Sequence, residues 1–411
     1  MLISLLLAMA LLLSTASQLR PAPDLPLGPG EILLVAWLIC MLGRETVRGG
    51  PPFSPPLVRL LLFWGVFAFA QGLGAMIGLA TVHGIDLGSA SHDTLAYILM
   101  FGVSCLCVAE PGARERLRET AWLLVLLGAT ALLLLMADAW NWVRVPMIQP
   151  WYYDRLRGWS ENPNQLALSC MVLAILAFHL METAEQLASR LLAGAAGSVA
   201  VYAGVLTKSD SFNLVVWLTI VILLALKLGA WLRPPPRDVT LRQAFAWQLV
   251  LILPISLLAI ALLYGDSTAR GIGEQFFKGP DDQGSLRLQL WQQALDKGID
   301  SWLLGLGPGG HLERPFPMSP EQANFEAHNT MLDLFTQGGL LAVGSVLCLL
   351  AFSVLGAFQT RAYALVALLC GLALFASFHL IVRQPMFWFA IAAASVAGRT
   401  APAGHAAHPR S

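Results

Sequence analysis

Charged residues are scarce in this sequence of 411 residues: Asp, Glu, Lys and Arg together supply 12%, whereas hydrophobic residues supply 57%. A soluble domain carries about 25% charged residues, so this composition excludes an ordinary water-soluble fold. The formal net charge of +0 gives no electrostatic basis for binding nucleic acid. Runs of about 20 apolar residues, the length needed to cross a bilayer, recur along the chain. Because the alternating pattern of a β-barrel is missing, the sequence predicts membrane-spanning helices.

Several chemistries lack the residues they need. The six cysteines all lie inside apolar stretches, which indicates small packing residues and not a disulfide framework or a zinc knuckle. The glycine-rich segment 305–311 has no Gly-Lys-Ser/Thr ending, so it predicts a tight turn instead of a phosphate-binding loop. There is no Ser-His-Asp motif and no cluster with metal-ligand spacing, and Asp281-Asp282 is only a weak candidate for a divalent ion. We therefore expect neither a metal nor a cofactor.

The apolar runs predict an all-α fold, a single integral membrane domain over residues 1–411 that forms a bundle of about twelve transmembrane helices. The first run lacks the basic residues that begin a signal peptide, so we interpret it as a span. The predicted spans are Leu2–Ser17, Ile32–Met41, Val58–Ala80, Leu95–Ala109, Trp122–Ala137, Leu166–Leu180, Leu191–Leu206, Leu214–Leu232, Ala246–Tyr264, Met331–Leu355, Leu365–Leu380 and Phe387–Ala397.

Basic residues cluster in alternate loops between these spans. Arginines occupy the loops at 44–59, 114–118 and 233–242, and the positive-inside rule assigns such loops to the cytoplasm. Both termini are then cytoplasmic as well. We expect a cysteine-labelling reagent applied from outside to reach a site near Gly279 and not one near Pro235.

The segment 265–327 is the one sizeable polar stretch and is predicted to be a large periplasmic loop. It contains an apolar repeat at helical spacing after Ser285, which is a suitable N-cap residue. This repeat predicts a short amphipathic helix that lies either on the membrane surface or on the bundle. The repeat consists of Leu288, Trp291, Leu295 and Ile299.

Arginines on the outer face depart from the usual charge bias, and two of them are held close to the membrane surface. Arg383 lies in a very short turn between two spans, and Arg157 lies just before a helix that Asn162 can cap, with Pro163 at its first position. A lipid diphosphate carries its charge at that depth, where arginine can bind it through bidentate hydrogen bonds. The alternative interpretation is snorkelling of these side chains to phospholipid head groups.

His328 differs from the other outward-facing histidines because it begins a predicted helix and is followed directly by Asn329. A helix N-terminus lowers the pKa of a histidine and favours the neutral form, which can take a proton from a hydroxyl group. A structural role is the alternative. We expect replacement of His311, in the glycine-rich turn, to cost much less activity than replacement of His328. The remaining outward-facing histidines are His83, His92 and His379.

Three segments follow one another along the chain: Arg157–Ala167 with Asn162-Pro163-Asn164, Arg287–Trp291 with Gly305–Gly307, and His328–Leu332 with Gly338–Leu340. In this order they resemble the O-antigen ligase and O-antigen polymerase superfamily of bacterial inner-membrane enzymes. The resemblance covers approximately residues 157–341 and departs from the family at Lys208-Ser209-Asp210-Ser211, where members often carry an arginine. Lysine there keeps the charge but lacks the fork geometry.

The resemblance implies a metal-independent membrane glycosyltransferase on the periplasmic side of the bacterial inner membrane. Its donor would be an undecaprenyl-diphosphate-linked glycan, its catalytic group His328, and cationic side chains would stabilise the leaving diphosphate. The acceptor is the lipid A-core in a ligase, which we favour, or another lipid-linked glycan in a polymerase. The implied diphosphate-binding residues are Arg157, Arg287, Arg383 and Lys208, supported by Asn162, Asn164 and Asn329.

A secondary transporter or lipid flippase is the alternative from a different class. Transporters keep ionisable residues or broken helices near the bilayer midplane, often in repeated halves. Here the predicted spans are nearly free of charge at mid-depth, Lys227 lies near a cytoplasmic end, and no internal repeat is visible. This distribution favours the enzyme.

Overall fold

A computed structural model of the chain describes residues 1–20, 27–50, 53–81, 86–109, 111–232, 283–313 and 324–398. Within these residues the fold is all-α, as predicted, apart from one 3-10 turn and two very short hairpins. The predicted span Ala246–Tyr264 lies outside the described residues, as do His83 and the two labelling sites, Gly279 and Pro235. The predicted periplasmic loop is described only at 283–313 and 324–327.

The helices of the described residues vary in length from 12 residues (α1) to 30 residues (α10). The 3-10 turn covers Ser17–Leu19, and the hairpins pair β1 (Trp151–Tyr152) with β2 (Arg155–Leu156) and β3 (Leu312–Glu313) with β4 (Asn324–Phe325). The helices are α1 (Leu2–Leu13), α2 (Pro29–Val47), α3 (Pro55–Thr81), α4 (Leu87–Ala109), α5 (Ala113–Ala139), α6 (Pro163–Thr183), α7 (Leu187–Leu206), α8 (Asp210–Trp231), α9 (Gln283–Asp300), α10 (Thr330–Gln359), α11 (Tyr363–Ala376) and α12 (Pro385–Ala397).

Seven of these helices, α3 to α8 and α10, are long and apolar enough to cross a membrane. Three shorter apolar helices, α1, α11 and α12, accompany them. The structure therefore supports a polytopic bundle, and the count of about twelve spans stays a prediction. The centre of the bundle is α6, in which every residue from Leu166 to Ala177 is buried. It contacts α5, α7, α8 and α11, so its first turn is held from several sides.

Neighbouring helix ends meet at two opposite ends of the bundle. At one, which we call the basic end, the amino group of Met1 lies 3.2 Å from Glu119 near the start of α5, and Arg118 Nη2 donates to Thr183 O at the end of α6 (3.3 Å). At the other, which we call the loop end, Gln18 N donates to Trp159 O just before α6 (3.1 Å). Consecutive helices thus run in alternate directions. The assignment of the basic end to the cytoplasm stays a prediction.

Of three predicted helix starts, the structure confirms one and corrects two. Asn162 caps α6 with Pro163 in its first turn, and its side chain accepts from Asn164 N (2.9 Å), as predicted. His328 does not begin α10, because Asn329 is the N-cap residue. Ser285 is not an N-cap either, because α9 already includes Gln283.

The amphipathic helix exists as α9, but the residues on its packed face differ from the predicted apolar repeat, which we call the predicted stripe. Leu290 and Ala294 are the buried residues, and Trp291 Nε1 donates to Ala327 O (3.1 Å). Of the predicted stripe, only Trp291 belongs to this packed face. The other three residues are about half exposed: Leu288 48%, Leu295 47% and Ile299 57%. The helix therefore lies on the bundle and presents an apolar edge outward.

The glycine-rich turn 305–311 docks against a break in α10. Gly338 and Gly339 leave helical geometry there, Gly339 with φ +61°. The break exposes the carbonyls of Thr336 and Gln337, which accept from Leu306 N and Gly307 N at 2.8 Å each. A side chain at position 307, where φ is +96°, would also collide with α3. The turn is thus a packed structural element and fixes the first half of α10.

Candidate functional site

Arg383 forms two ion pairs at the loop end. Its guanidinium donates through Nη1 to Asp93 of α4 and through Nη2 to Glu326, just before α10. The exposed fraction is 19% for the Arg383 side chain, 1% for Asp93 and 26% for Glu326. Burial lowers the pKa of Arg383, but Glu326 and Asp93 more than offset that effect, so the pKa lies above its usual value. The charge of Arg383 is therefore balanced within the protein.

Asp93 extends this ion pair into a buried hydrogen-bond network. Gln337 Nε2 donates to Asp93 Oδ2 (3.1 Å) and to Gly309 O (3.2 Å), and Tyr97 OH donates to Gln337 Oε1 (2.6 Å). A satisfied buried network of this kind holds its elements in one arrangement. Here it joins α4, α10, the glycine-rich turn and the loop before α12.

Asp333, in the first turn of α10, fixes the backbone on both sides of His328. Its Oδ1 accepts from Ala327 N (2.6 Å) and its Oδ2 from Asn329 N (3.2 Å). His328 itself has φ +52°, a left-handed conformation that is uncommon for any residue other than glycine. Its ring packs edge-on against Phe325, with 5.0 Å between the ring centroids. Because such a conformation persists only where the surroundings impose it, His328 is held by a well-defined backbone.

The side chains of Arg155, Arg287 and His328 lie close enough to His379 for their charges to act on it, and we call these four residues the cation cluster. Burial and then the nearby charges of Arg287, His328 and Arg155 lower the pKa of His379 to about 3. Burial also lowers the pKa of Arg287; Asp210 opposes that shift, whereas Arg155 adds to it. His379 is consequently neutral at physiological pH, and the two arginines concentrate positive charge around it.

Arg155 is held in the cluster by the starts of two helices. Its Nε donates to Thr207 O, two residues before the N-cap Ser209 of α8 (3.0 Å), and its Nη2 donates to Asn164 Oδ1 in the first turn of α6 (3.1 Å). Neither partner is charged, so these contacts orient the guanidinium without cancelling its charge.

His379 connects the cluster to the starts of α8 and α10. Its Nε2 lies 3.2 Å from Ser211 Oγ in the first turn of α8, and its carbonyl accepts from Thr330 Oγ1, the first residue of α10 (2.6 Å). The N-termini of α6, α8 and α10 therefore converge on the cation cluster. Helix N-termini favour negative charge, so they add to the field of the arginines, and the arrangement can bind an anion such as a phosphate group.

Arg157 and Lys208 are close to the cluster in sequence but have other contacts. Arg157 donates from Nε and Nη2 to Gln149 O and Oε1, both at 2.9 Å, and lies 5.6 Å from the centre of the Tyr152 ring. Lys208 Nζ pairs with Asp154 Oδ2 at 2.5 Å, and both side chains are more than half exposed. A contact of either residue with a diphosphate stays a prediction.

Sequence reasoning did not select two members of the cluster, Arg155 and His379. Both lie in loops that the predicted topology places on the outer face, but the sequence favours Arg157 and Arg383 because they lie close to the ends of predicted spans. The position of Arg155 depends on Thr207, 52 residues away, and that of His379 on Ser211, 168 residues away. The one local signal in the sequence is that Arg155 lies shortly before the start of α6, which Asn162 caps.

His311 lies in the predicted tight turn, and its ring is engaged: Nε2 lies 2.7 Å from Gly307 O, and burial lowers its pKa. Across the described ranges, no group of three or more His, Cys, Asp or Glu side chains is arranged to hold a metal ion.

The apolar helices and the charged site at one end of the bundle define a multi-pass membrane protein. A family model described as O-antigen ligase matches residues 195–347, so this part of the chain is similar to the O-antigen ligase superfamily. The matched region includes Lys208, Arg287 and His328, whereas Arg155, His379 and Arg383 lie outside it. No curated protein matches the chain.

Proposed function

We propose that the chain transfers a glycan from an undecaprenyl-diphosphate carrier to an acceptor hydroxyl group at the loop end, on the periplasmic face of the bacterial inner membrane. The preferred acceptor is the lipid A-core, which makes the reaction an O-antigen ligation in lipopolysaccharide biosynthesis. The observation that carries this proposal is the cation cluster: the charges of Arg155, Arg287 and His328 all act on His379, which lies where helices α8 and α10 begin.

The cluster suits the charge that develops in this reaction. The bond between the anomeric carbon and the diphosphate oxygen breaks, and the diphosphate leaves as an anion that Arg155 and Arg287 stabilise. Arginines and helix N-termini that are already oriented need little rearrangement when that charge appears. Arg157, Lys208 and Arg383 already contact other groups of the protein, so for these three residues a contact with the diphosphate stays a prediction.

His328 acts on the acceptor side of the reaction. A sugar hydroxyl is a poor nucleophile, and its proton must leave as the new glycosidic bond forms. In our proposal the His328 ring accepts this proton or orients the hydroxyl group. Asn329 caps α10 directly after His328, with Oδ1 accepting from Met331 N at 3.0 Å, and Asn162 caps α6 in the same way. Asn164 supports the site differently, because its Oδ1 accepts from Arg155 Nη2.

Reconstitution of the purified protein with defined lipids tests the proposal. Undecaprenyl-diphosphate-linked glycan is supplied with either lipid A-core or a second lipid-linked glycan as acceptor, and both the product and the released undecaprenyl diphosphate are measured. Stoichiometric release with lipid A-core is expected for a ligase, whereas chain extension without lipid A-core would identify the alternative, a polymerase. If neither acceptor receives glycan from an active donor preparation, the proposal is wrong.

Arg287→Lys separates bidentate binding from charge alone. Loss of one charge-assisted hydrogen bond of ~1.5–3 kcal/mol predicts about tenfold or greater loss of kcat/KM for the donor. The matched control is Arg144→Lys, because Arg144 is an exposed arginine at the same end of the bundle. Equal kinetics for the two variants would remove Arg287 from the diphosphate site.

A further inference from the structure

A second positively charged site lies at the basic end, on the same helices whose other ends surround the cation cluster. A cavity of about 220 Å³ opens between the start of α5 and the ends of α6, α10 and α12. Since α6 has 21 residues, this cavity lies about 30 Å from the cluster. It cannot belong to the site proposed for glycan transfer.

Three arginines line the cavity. Arg114 and Arg118 are four residues apart on α5, so they project from the same side of that helix. Arg361 follows α10 with φ +60°, which turns the chain there toward α11. None of the three forms an ion pair with the described part of the chain, and Arg118 alone has a side-chain hydrogen bond, to Thr183 O.

The carboxylate in the cavity wall does not balance these charges. Glu182 accepts from Ala364 N through Oε2 (3.2 Å), and Lys227 Nζ lies 3.0 Å from its Oε1. A lysine outside the cavity lining thus already offsets the single negative charge of the lining. The cavity therefore keeps an excess of positive charge at the level where a helix bundle meets lipid head groups.

The inner wall of the cavity is apolar. Leu117 and Ala121 of α5 and Leu176 of α6 form part of it, and all three are buried. A small hydrated anion gains nothing from such a wall, because it would have to give up water there. An anionic group attached to glycerol and acyl chains matches a charged mouth with an apolar interior. Basic pockets between transmembrane helices commonly bind such lipid head groups.

We propose that this cavity binds a phosphate ester, supplied by the head group of an anionic phospholipid. Arg114 and Arg361 contact the phosphate oxygens, and Arg118, which is fixed by Thr183, completes the positive rim. The proposal does not depend on the glycosyltransferase assignment, because the cavity uses other residues at the opposite end of the bundle.

Lipid binding by the full-length protein in neutral detergent tests this site. Native mass spectrometry and thermal unfolding are followed with phosphatidylglycerol, with phosphatidylcholine and with inorganic phosphate. The test variant is R114Q/R361Q, since neither side chain hydrogen-bonds to the described protein. The matched control is Arg59→Gln, because Arg59 is an exposed arginine at the basic end outside the cavity. R114K/R361K, which keeps both charges, controls for folding.

Phosphatidylglycerol is expected to bind and stabilise the wild-type and Arg59→Gln proteins, with about tenfold or more lower apparent affinity for R114Q/R361Q. R114K/R361K should regain part of that affinity. Equal binding of phosphatidylglycerol by R114Q/R361Q and Arg59→Gln would overturn the site. Equal stabilisation by phosphatidylcholine would overturn the requirement for an anionic head group, and equal stabilisation by inorganic phosphate would overturn the assignment to a lipid.

Discussion

The loop between α11 and α12 carries two basic residues whose electrostatic surroundings are opposite. Arg383 points into a pair of carboxylates, Asp93 and Glu326, and its charge is balanced. His379, four residues earlier, lies among Arg155, Arg287 and His328, and burial among these cations lowers its pKa to about 3. A buried charge with its partners in place becomes costly when one partner is removed, whereas a cluster in which several cations face one carboxylate, Asp210, keeps positive charge available for an incoming anion.

This difference predicts that variants on the two sides fail in different ways. Changes at Arg383 should primarily reduce stability, and changes in the cation cluster should primarily reduce glycan transfer. The predictions for His328 and His311 measure both quantities in the same purified variant, so that a mixed result would show that the two regions are one functional unit.

His328→Ala is expected to have the largest effect on transfer. Proton removal by a positioned side chain is typically worth ~100- to 10,000-fold in rate, so transfer should fall within that range while the unfolding temperature stays unchanged. The measurement is single-turnover transfer together with a thermal melt. Transfer at close to the wild-type rate would leave catalysis to the arginines alone.

His311→Ala is the companion variant, with the opposite expected pattern. The His311 ring contacts Gly307 O in the packed turn, so its loss should lower the unfolding temperature more than it lowers transfer. A loss of transfer as large as that of His328→Ala, at unchanged stability, would move the proton-accepting role to His311.

Arg383→Gln is expected to have the largest effect on stability. Removal of one partner from a buried ion pair typically costs ~3–5 kcal/mol, because the remaining charge is left unpaired, and Asp93 is 1% exposed. Denaturant titration measures the loss. Addition of Asp93→Asn to this variant should restore part of the stability; a stable single variant with impaired donor binding would instead favour the predicted diphosphate contact.

The sequence predicted features that depend on neighbouring residues. Asn162 and Pro163 specify the start of α6 because capping needs only two or three consecutive residues. By contrast, the partners of Arg383 are Asp93, 290 residues away, and Glu326, 57 residues away, so nothing near Arg383 distinguishes a paired arginine from a free one. The glycine-rich turn shows the same limit, since the carbonyls it binds become available only where Gly338 and Gly339 break α10.

The pH dependence of stability offers a smaller test of the cation cluster. The pKa of His379 is lowered to about 3 in the folded protein, against about 6.5 for an unperturbed histidine. Between these values the unfolded chain binds a proton that the folded chain does not. The contribution of His379 to stability is therefore fully present above pH 6.5 and is lost as the pH drops toward 3.

His379→Asn should remove the contribution of His379 to the pH dependence of stability, while keeping a group that can hydrogen-bond to Ser211. The unfolding temperatures of the wild-type and His379→Asn proteins, measured between pH 4 and 8, give the size of this contribution. Parallel curves would mean that His379 titrates normally and that the surrounding cations do not concentrate charge as inferred.

Lys208→Arg is expected to have the smallest effect, and it tests where the cluster ends. Lys208 lies two residues before the first turn of α8, but its ammonium group pairs with Asp154 and both side chains are largely exposed. Solvent screens such pairs, so restoring the arginine that family members often carry should change transfer by less than about threefold. Lys208→Ala is the matched variant and should behave similarly if the lysine lies outside the diphosphate site. A gain in donor affinity for arginine together with a large loss for alanine would extend the anion site to Lys208, because only a residue in contact with the diphosphate would distinguish the fork of arginine from a point charge.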